Sequence, residues 1–123
     1  MIKAKNSLIG SYNGTIDNKG RLSIPAEFRR SLGGKAVILY LSNHEHRIEV
    51  FSPDMFEKFA GDKVSNEKEL ISLSRDSRKS LLDKQGRTRI PKKFIDDINL
   101  SKKVEIIGLG EKILIQNISQ EEK

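Results

Sequence analysis

"IDNKGRLSIPAEF", Ile16 to Phe28, returns later in the chain as "LDKQGRTRIPKKF", Leu82 to Phe94. Both stretches keep Asp, Gly, Arg, Ile, Pro and Phe in the same order, and each residue of the second lies 66 positions after its counterpart, as Asp83 does after Asp17. The repeat reaches past the quoted segment. Pro25, Phe28, Leu32 and Gly33 are answered by Pro91, Phe94, Ile98 and Asn99. Proline suits the first helical position, where its missing N–H has no intrahelical partner. Phe28 with Leu32, and Phe94 with Ile98, are i,i+4 pairs that give each short helix one apolar stripe. Gly33 and Asn99 both tolerate the left-handed conformation that closes a helix.

Two apolar strand segments follow each helix: Ala36–Tyr40 and Ile48–Phe51, then Val104–Ile107 and Ile113–Ile115. The connection is shorter by two residues in the second copy, where "GLGEK" reads as a tight hairpin. Between the copies, "SPDMFEKFAGDK" offers Ser52 as N-cap and Pro53 as first helical residue. "SNEKELISLSRDSRKS" offers Ser65 as N-cap, an acidic first turn and late basic residues, the order that complements a helix dipole. The organisation expected is a first unit over 8–51, a helical connector over 52–79, a second unit over 80–117, and flexible ends at 1–7 and 118–123. Units of about fifty residues bury too little surface to be comfortable alone. Near-identical units pack about a pseudo-twofold axis, as in isologous dimers, so one compact body is expected.

The repeated loop reads as "DNKG" and "DKQG". Aspartate first and glycine fourth mark a type I turn, the carboxylate accepting from backbone N–H groups and the glycine tolerating positive φ. On the strand that leaves each turn, alternation sends Leu22, Ile24 and Ile90 inward and Arg21, Ser23, Arg87 and Arg89 outward. Thr88 takes the inward position that Leu22 fills, which predicts a wetter or looser second site. Symmetry would bring the two turns together, gathering Lys19, Arg21, Lys84, Arg87 and Arg89 on one surface. Arginine offers a planar fork to phosphate oxygens or the O6/N7 edge of guanine. The competing reading is structural: Asp17 with Arg21, and Asp83 with Arg87, as salt bridges that tidy a hairpin. Exposed pairs of that kind are worth only ~0–1 kcal/mol, a weak reason to write the charges twice. The arginines therefore read as ligand contacts, and Asp17, Gly20, Asp83 and Gly86 as the turn's own structure. On the helices, Arg29, Arg30, Lys92 and Lys93 stay open between phosphate contact and ordinary solvated surface.

Composition narrows the partner. In 123 residues, 23 lysines and arginines face 17 aspartates and glutamates, for a net charge of +6. That balance favours a polyanion, since basic side chains release counterions from phosphates. There is no cysteine, hence no disulfide framework, thiolate metal site or cysteine nucleophile. The longest apolar run, "AVILYL" from Ala36 to Leu41, is far short of the ~20 residues that span a bilayer. A signal segment is not expected either, and the chain reads as cytoplasmic. His44 and His46 in "SNHEHR" have H-x-H spacing but fall in a hairpin loop, so a solvated loop is the default and no metal site is assigned. "GLGEK" lacks the strand-to-helix setting of a phosphate-binding loop. No nucleophile–base pair or carboxylate dyad stands out, so no catalytic residue, cofactor or small-molecule substrate is expected.

With those residues in hand, the chain resembles the MraZ family, whose members carry two tandem AbrB-like (SpoVT/AbrB) units marked by D-x-x-x-R and an Ile/Leu-Pro step into a short helix. Asp17–Arg21 with "LSIPAEFR" carries the first likeness, and Asp83–Arg87 with "IPKKF" and "VEIIGLGEKILIQN" the second. It spans about Leu8 to Asn117. Met1 to Ser7 precede the family's usual start, Thr88 stands where a hydrophobic residue is usual, and the central segment is short. The resemblance implies an α+β fold in which two β-rich units form a pseudo-twofold barrel of double-psi or swapped-hairpin type, with short helices between and flanking. It implies a bacterial transcriptional regulator, nucleoid-associated, that binds double-stranded DNA at direct repeats upstream of its own division and cell-wall gene cluster and assembles as a homo-oligomeric ring. Arg21 and Arg87 would then contact DNA, with Lys19 and Lys84 beside them. Two alternatives stand: a dimeric regulator of AbrB or MazE type, and a ring-forming scaffold whose partner is a protein.

Overall fold

The computed structural model describes residues 8–118, so the expected ends at 1–7 and 118–123 lie, apart from residue 118, outside the described residues. The first copy runs β1 (Leu8–Thr15), β2 (Arg21–Ser23), α1 (Ala26–Ser31), β3 (Ala36–Ser42) and β4 (Arg47–Phe51). The connector holds α2 (Pro53–Lys63) and α3 (Glu67–Arg75). The second copy runs β5 (Ser77–Leu81), β6 (Arg87–Arg89), α4 (Lys92–Asp97), β7 (Lys103–Gly110) and β8 (Ile113–Asn117). β2, α1 and β4 keep the 66-residue offset to β6, α4 and β8 at both ends. The shorter second hairpin loop is matched by a β7 that runs two residues further, so the offset survives it.

Local chemistry explains the short helices. Phe28 and Phe94 are fully buried, with Leu32 and Ile98 behind them. Gly33 and Asn99 close the helices at positive φ, 101° and 56°. Pro25 and Pro91 sit one position earlier than expected, as N-caps with extended ψ of 141° rather than as first helical residues. Pro53 does open α2, and the Ser52 side chain accepts from the Met55 N–H. In α3 the cap is Asn66, whose side chain accepts from Glu69 N–H. Ser65, expected there, instead donates its backbone N–H to the Glu69 carboxylate, so the reciprocal capping box is shifted by one residue.

The two copies exchange strands. One antiparallel sheet has the order β1-β7-β8-β4-β3-β5, and β2 pairs with β6 in a separate two-stranded ribbon. β1 of the first copy lies on β7 of the second, while β5 of the second lies on β3 of the first. Neither copy completes its sheet alone, and each supplies a strand to the other. Leu22 and Thr88 face each other at the middle of the ribbon, and β4 and β8 meet at the middle of the sheet. Both pairs mark the pseudo-twofold axis. Side chains from both copies, among them Leu22, Ile24, Phe28, Ile90, Phe94 and Ile106, form one continuous core. Each such burial is worth about 1.5–3 kcal/mol.

Two expectations need correcting. The fold is α+β and pseudo-symmetric, but no barrel closes: β1 and β5 remain edges of the sheet among the described residues. The second unit also starts earlier than residue 80, since β5 begins at Ser77. Ser77 and Arg78 read as helical by charge order, yet Arg78 and Ser77 pair with Leu39 and Tyr40 of β3. Tertiary pairing overrides local preference there. The connector packs through aromatic contacts, Phe59 lying 4.6 Å from Phe51 and 5.4 Å from Tyr40 between ring centroids. No helix among the described residues is long and apolar enough to cross a membrane.

Candidate nucleic-acid interface

Both turns are built as their sequence dictates. Asp17 Oδ1 accepts from the backbone N–H groups of Lys19 at 2.9 Å and Arg21 at 2.8 Å, and Gly20 N–H closes onto the Asp17 carbonyl. The other oxygen, Oδ2, accepts from Arg21 Nε at 2.8 Å. Asp83 repeats the scheme: its Oδ1 takes the N–H groups of Gln85 and Arg87, and Oδ2 takes Arg87 Nε at 2.8 Å. Gly20 and Gly86 have φ of 81° and 78°, the left-handed region that a side chain resists. The Arg21 N–H, followed by the Arg21 guanidinium and the Lys19 N–H, pulls the Asp17 carboxyl down to about 2 against the cost of desolvation. The same contacts lower Asp83.

Each aspartate therefore caps its turn and also aims its arginine. Only Nε is used, so both terminal nitrogens of Arg21 and Arg87 are without a partner among the described residues. A guanidinium fixed through Nε presents its remaining fork in a set plane, suited to a bidentate acceptor.

The ribbon gathers these arginines. Arg21 lies opposite Arg89, and Ser23 opposite Arg87, while Leu22 and Thr88 face the core. Three arginines thus share one face of a two-stranded ribbon, a width the major groove of DNA admits. Like charges directly across a sheet are unfavourable, and Asp17 and Asp83 offset part of that repulsion. Arg89 also donates Nη1 to the Lys19 carbonyl at 3.2 Å. The turns lie at the two ends of the ribbon rather than side by side, because β2 and β6 run antiparallel. Lys19 and Lys84 are exposed at the turn tips, though not at equivalent positions: Lys19 matches Gln85, and Lys84 matches Asn18.

The helix residues divide. Arg30 is exposed. Lys92 and Lys93 pair along α4 with Asp96 at 3.0 Å and Asp97 at 2.7 Å. Such exposed pairs are weak and leave both ammonium groups available. Arg29 is partly buried and donates Nη1 to the Ile24 carbonyl at 3.0 Å, so one arm of its fork is committed within the protein.

Beneath the ribbon the copies differ. Thr88 is fully buried, not wet, and its hydroxyl shares a 2.7 Å hydrogen bond with Ser80. In the first copy Leu22 occupies that position and Gly14 the place of Ser80, and the leucine packs closely over the glycine: a Cβ built there would stand 3.0 Å from Leu22 Cδ1. The paired exchange Gly14/Leu22 for Ser80/Thr88 was present in the sequence at the common offset. Thr88 read alone suggested looseness. His44 to His46 lie in the β3–β4 loop, and no group of metal-ligating side chains occurs among the described residues.

A family model described as "MraZ protein, putative antitoxin-like" matches residues 8–72. The chain is 35% identical to the transcriptional regulator MraZ of Alkaliphilus metalliredigens over 91% of its length and 82% of the relative's. It is 33% identical to that of Mycoplasma capricolum over 88% and 86%, and 32% identical to that of Chlorobium luteolum over 87% and 81%. These relatives extend the likeness through the second copy.

Proposed function

The chain belongs to the MraZ family, and from that premise we propose that it is a transcriptional regulator, without enzymatic activity, that reads double-stranded DNA with the arginine face of its ribbon. One observation carries the reading: Arg21 and Arg87 are held through Nε by Asp17 and Asp83 on one face, their terminal nitrogens without a partner among the described residues. A ribbon entering the major groove puts those forks within reach of guanine O6 and N7. Arg89, Lys19 and Lys84, with Arg30, Lys92 and Lys93 on the helices, supply phosphate contacts that fix position and carry no sequence information. The target we infer is a set of direct repeats upstream of the chain's own division and cell-wall gene cluster, which makes it a cytoplasmic, nucleoid-associated protein.

A ring of copies would present many equivalent ribbons to repeated DNA boxes and raise avidity without new contacts. The sheet edges β1 and β5 and exposed Ile9, Leu81 and Leu109 support self-association. Light scattering on the free protein tests that part: a mass of one or two chains rejects the ring. For DNA, fluorescence anisotropy with the duplex upstream of its gene and a scrambled duplex, across a salt series, decides. Preference for the upstream duplex at physiological salt is expected. Equal, steeply salt-dependent binding to both would mean recognition of phosphate alone.

A further inference from the structure

Arg29 breaks the repeat. The second copy has Ile95 at that place, and the two residues treat their neighbouring turns differently. The Arg29 guanidinium lies directly over Gly86, so that a Cβ there would overlap its Cδ and Cζ. It is anchored by the Ile24 carbonyl. The N–H of the same Ile24 residue donates to the Gly86 carbonyl at 3.1 Å. Gly86 is thus held on one side by Ile24 and covered on the other by Arg29, and it is buried. At the first turn only half of this exists. Ile90 N–H donates to the Gly20 carbonyl at 2.7 Å. Over Gly20, however, an added Cβ would meet Ile90 O and Arg89 Cγ, and nothing of Ile95 within 4 Å. A cleft of about 540 Å3 opens there between the turn and α4, with Lys19, Ile95 and Lys102 in its lining.

We propose that Arg29 is a positioning residue: it clamps Gly86 and so fixes the turn that aims Arg87, while the turn that aims Arg21 is left beside an open cleft. The clamp needs a planar fork that can lie flat on a glycine and donate sideways to a carbonyl. Lysine, a point charge on a flexible stem, cannot do both. The two reading heads then differ in stiffness although their own residues match: Arg87 meets its base with its turn preset, and Arg21 adjusts on contact. This rests on the DNA-binding reading above, and it moves Arg29 from the set of candidate phosphate contacts to the support of the site.

The test uses the full chain and Arg29→Lys, which keeps the aliphatic stem and the charge and loses only the fork; Arg29→Ile copies the second copy's residue. Amide hydrogen exchange is read at Gly86 and Gly20, whose N–H groups make matching 2.9 Å bonds to Asp83 and Asp17. The expected result for Arg29→Lys is exchange at Gly86 at least about tenfold faster with Gly20 unchanged, whereas general destabilisation would move both. By anisotropy, preference for the upstream duplex over the scrambled one should fall several-fold, with scrambled binding and the salt slope unchanged. Parental behaviour of Arg29→Lys in either readout would overturn the proposal. So would an Arg29→Ile that weakens both duplexes alike and lowers the salt slope by about one, the signature of a phosphate contact. Arg21→Ala and Arg87→Ala separate the two failures. If they lose preference and Arg29→Lys does not, the positioning role falls and the DNA reading stands; if they keep it, both fall.

Discussion

The two D-x-x-x-R turns have the same hydrogen bonds to within 0.1 Å, yet they stand on different floors. Under the first, Leu22 packs over Gly14. Under the second, the buried Thr88 is tied to the partly buried Ser80 by a hydroxyl bond. Beside the second, Arg29 covers the turn glycine, and beside the first Ile95 leaves a cleft. A surface can thus keep its symmetry while the packing below it diverges, provided each local exchange is compensated by its neighbour. Large-over-glycine and hydroxyl-on-hydroxyl both fill the space, and among the described residues no buried side-chain polar atom is left without a partner.

The strongest way to probe that difference is to remove the floor. Leu22→Ala deletes a fully buried side chain on the pseudo-axis and should cost about 2–5 kcal/mol in urea unfolding. Thr88→Val strands the Ser80 hydroxyl and should cost about 1–3 kcal/mol. Combining Thr88→Leu with Ser80→Gly copies the first floor into the second, and stability should return to within about 1 kcal/mol of the parent. A double variant no better than Thr88→Val would show that the floors are not interchangeable. At the reading surface, Arg21→Ala and Arg87→Ala should each cost about 1–3 kcal/mol of binding to the upstream duplex, with relaxed sequence preference. Unequal losses would sharpen the distinction between a clamped and an unclamped turn.

The smallest effect concerns pH. Asp17 sits near 2 when folded, below the ~3.9 of an unperturbed aspartate. Its contribution to stability is complete above about pH 4 and is lost as pH falls toward 2, because the unfolded chain takes up the proton first. A carboxyl NMR titration should place Asp17 near 2 and show Asp83 lowered in the same direction. A midpoint at or above 3.9 for Asp17 would mean that the turn's hydrogen bonds do not hold in solution.

Much of this site was legible without coordinates. The alternation across Arg21–Leu22–Ser23 and Arg87–Thr88–Arg89, the Asp/Gly turns and the Phe28 and Phe94 stripes all came out as read. The misses have one character. Thr88 read as a weakness because its partner Ser80 lies on another strand, and Arg29 stayed open between phosphate contact and solvated surface because nothing near it in sequence shows Gly86. Ser77 and Arg78 read as helical because the strand they join, β3, lies almost forty residues earlier.

The sequence by itself determined the repeat, the turns and the inward and outward faces, and placed the helix starts to within one residue, since these follow from steric rules and periodicities that act over a few residues. Only the tertiary structure decided which copy's strand pairs with which, that the sheet stays open, and what covers each glycine. One detail shows why. Ile16 N–H reaches the Lys102 carbonyl, but its counterpart Leu82 reaches Lys35 rather than Ala36, so β1–β7 and β5–β3 differ in register by one residue. Gly33 and Gly34 both take positive φ before β3, whereas Leu100, at the place of Gly34, is buried ahead of β7. A register of that kind is fixed by the packing of segments distant in the chain, and a repeat of 66 residues carries no record of it.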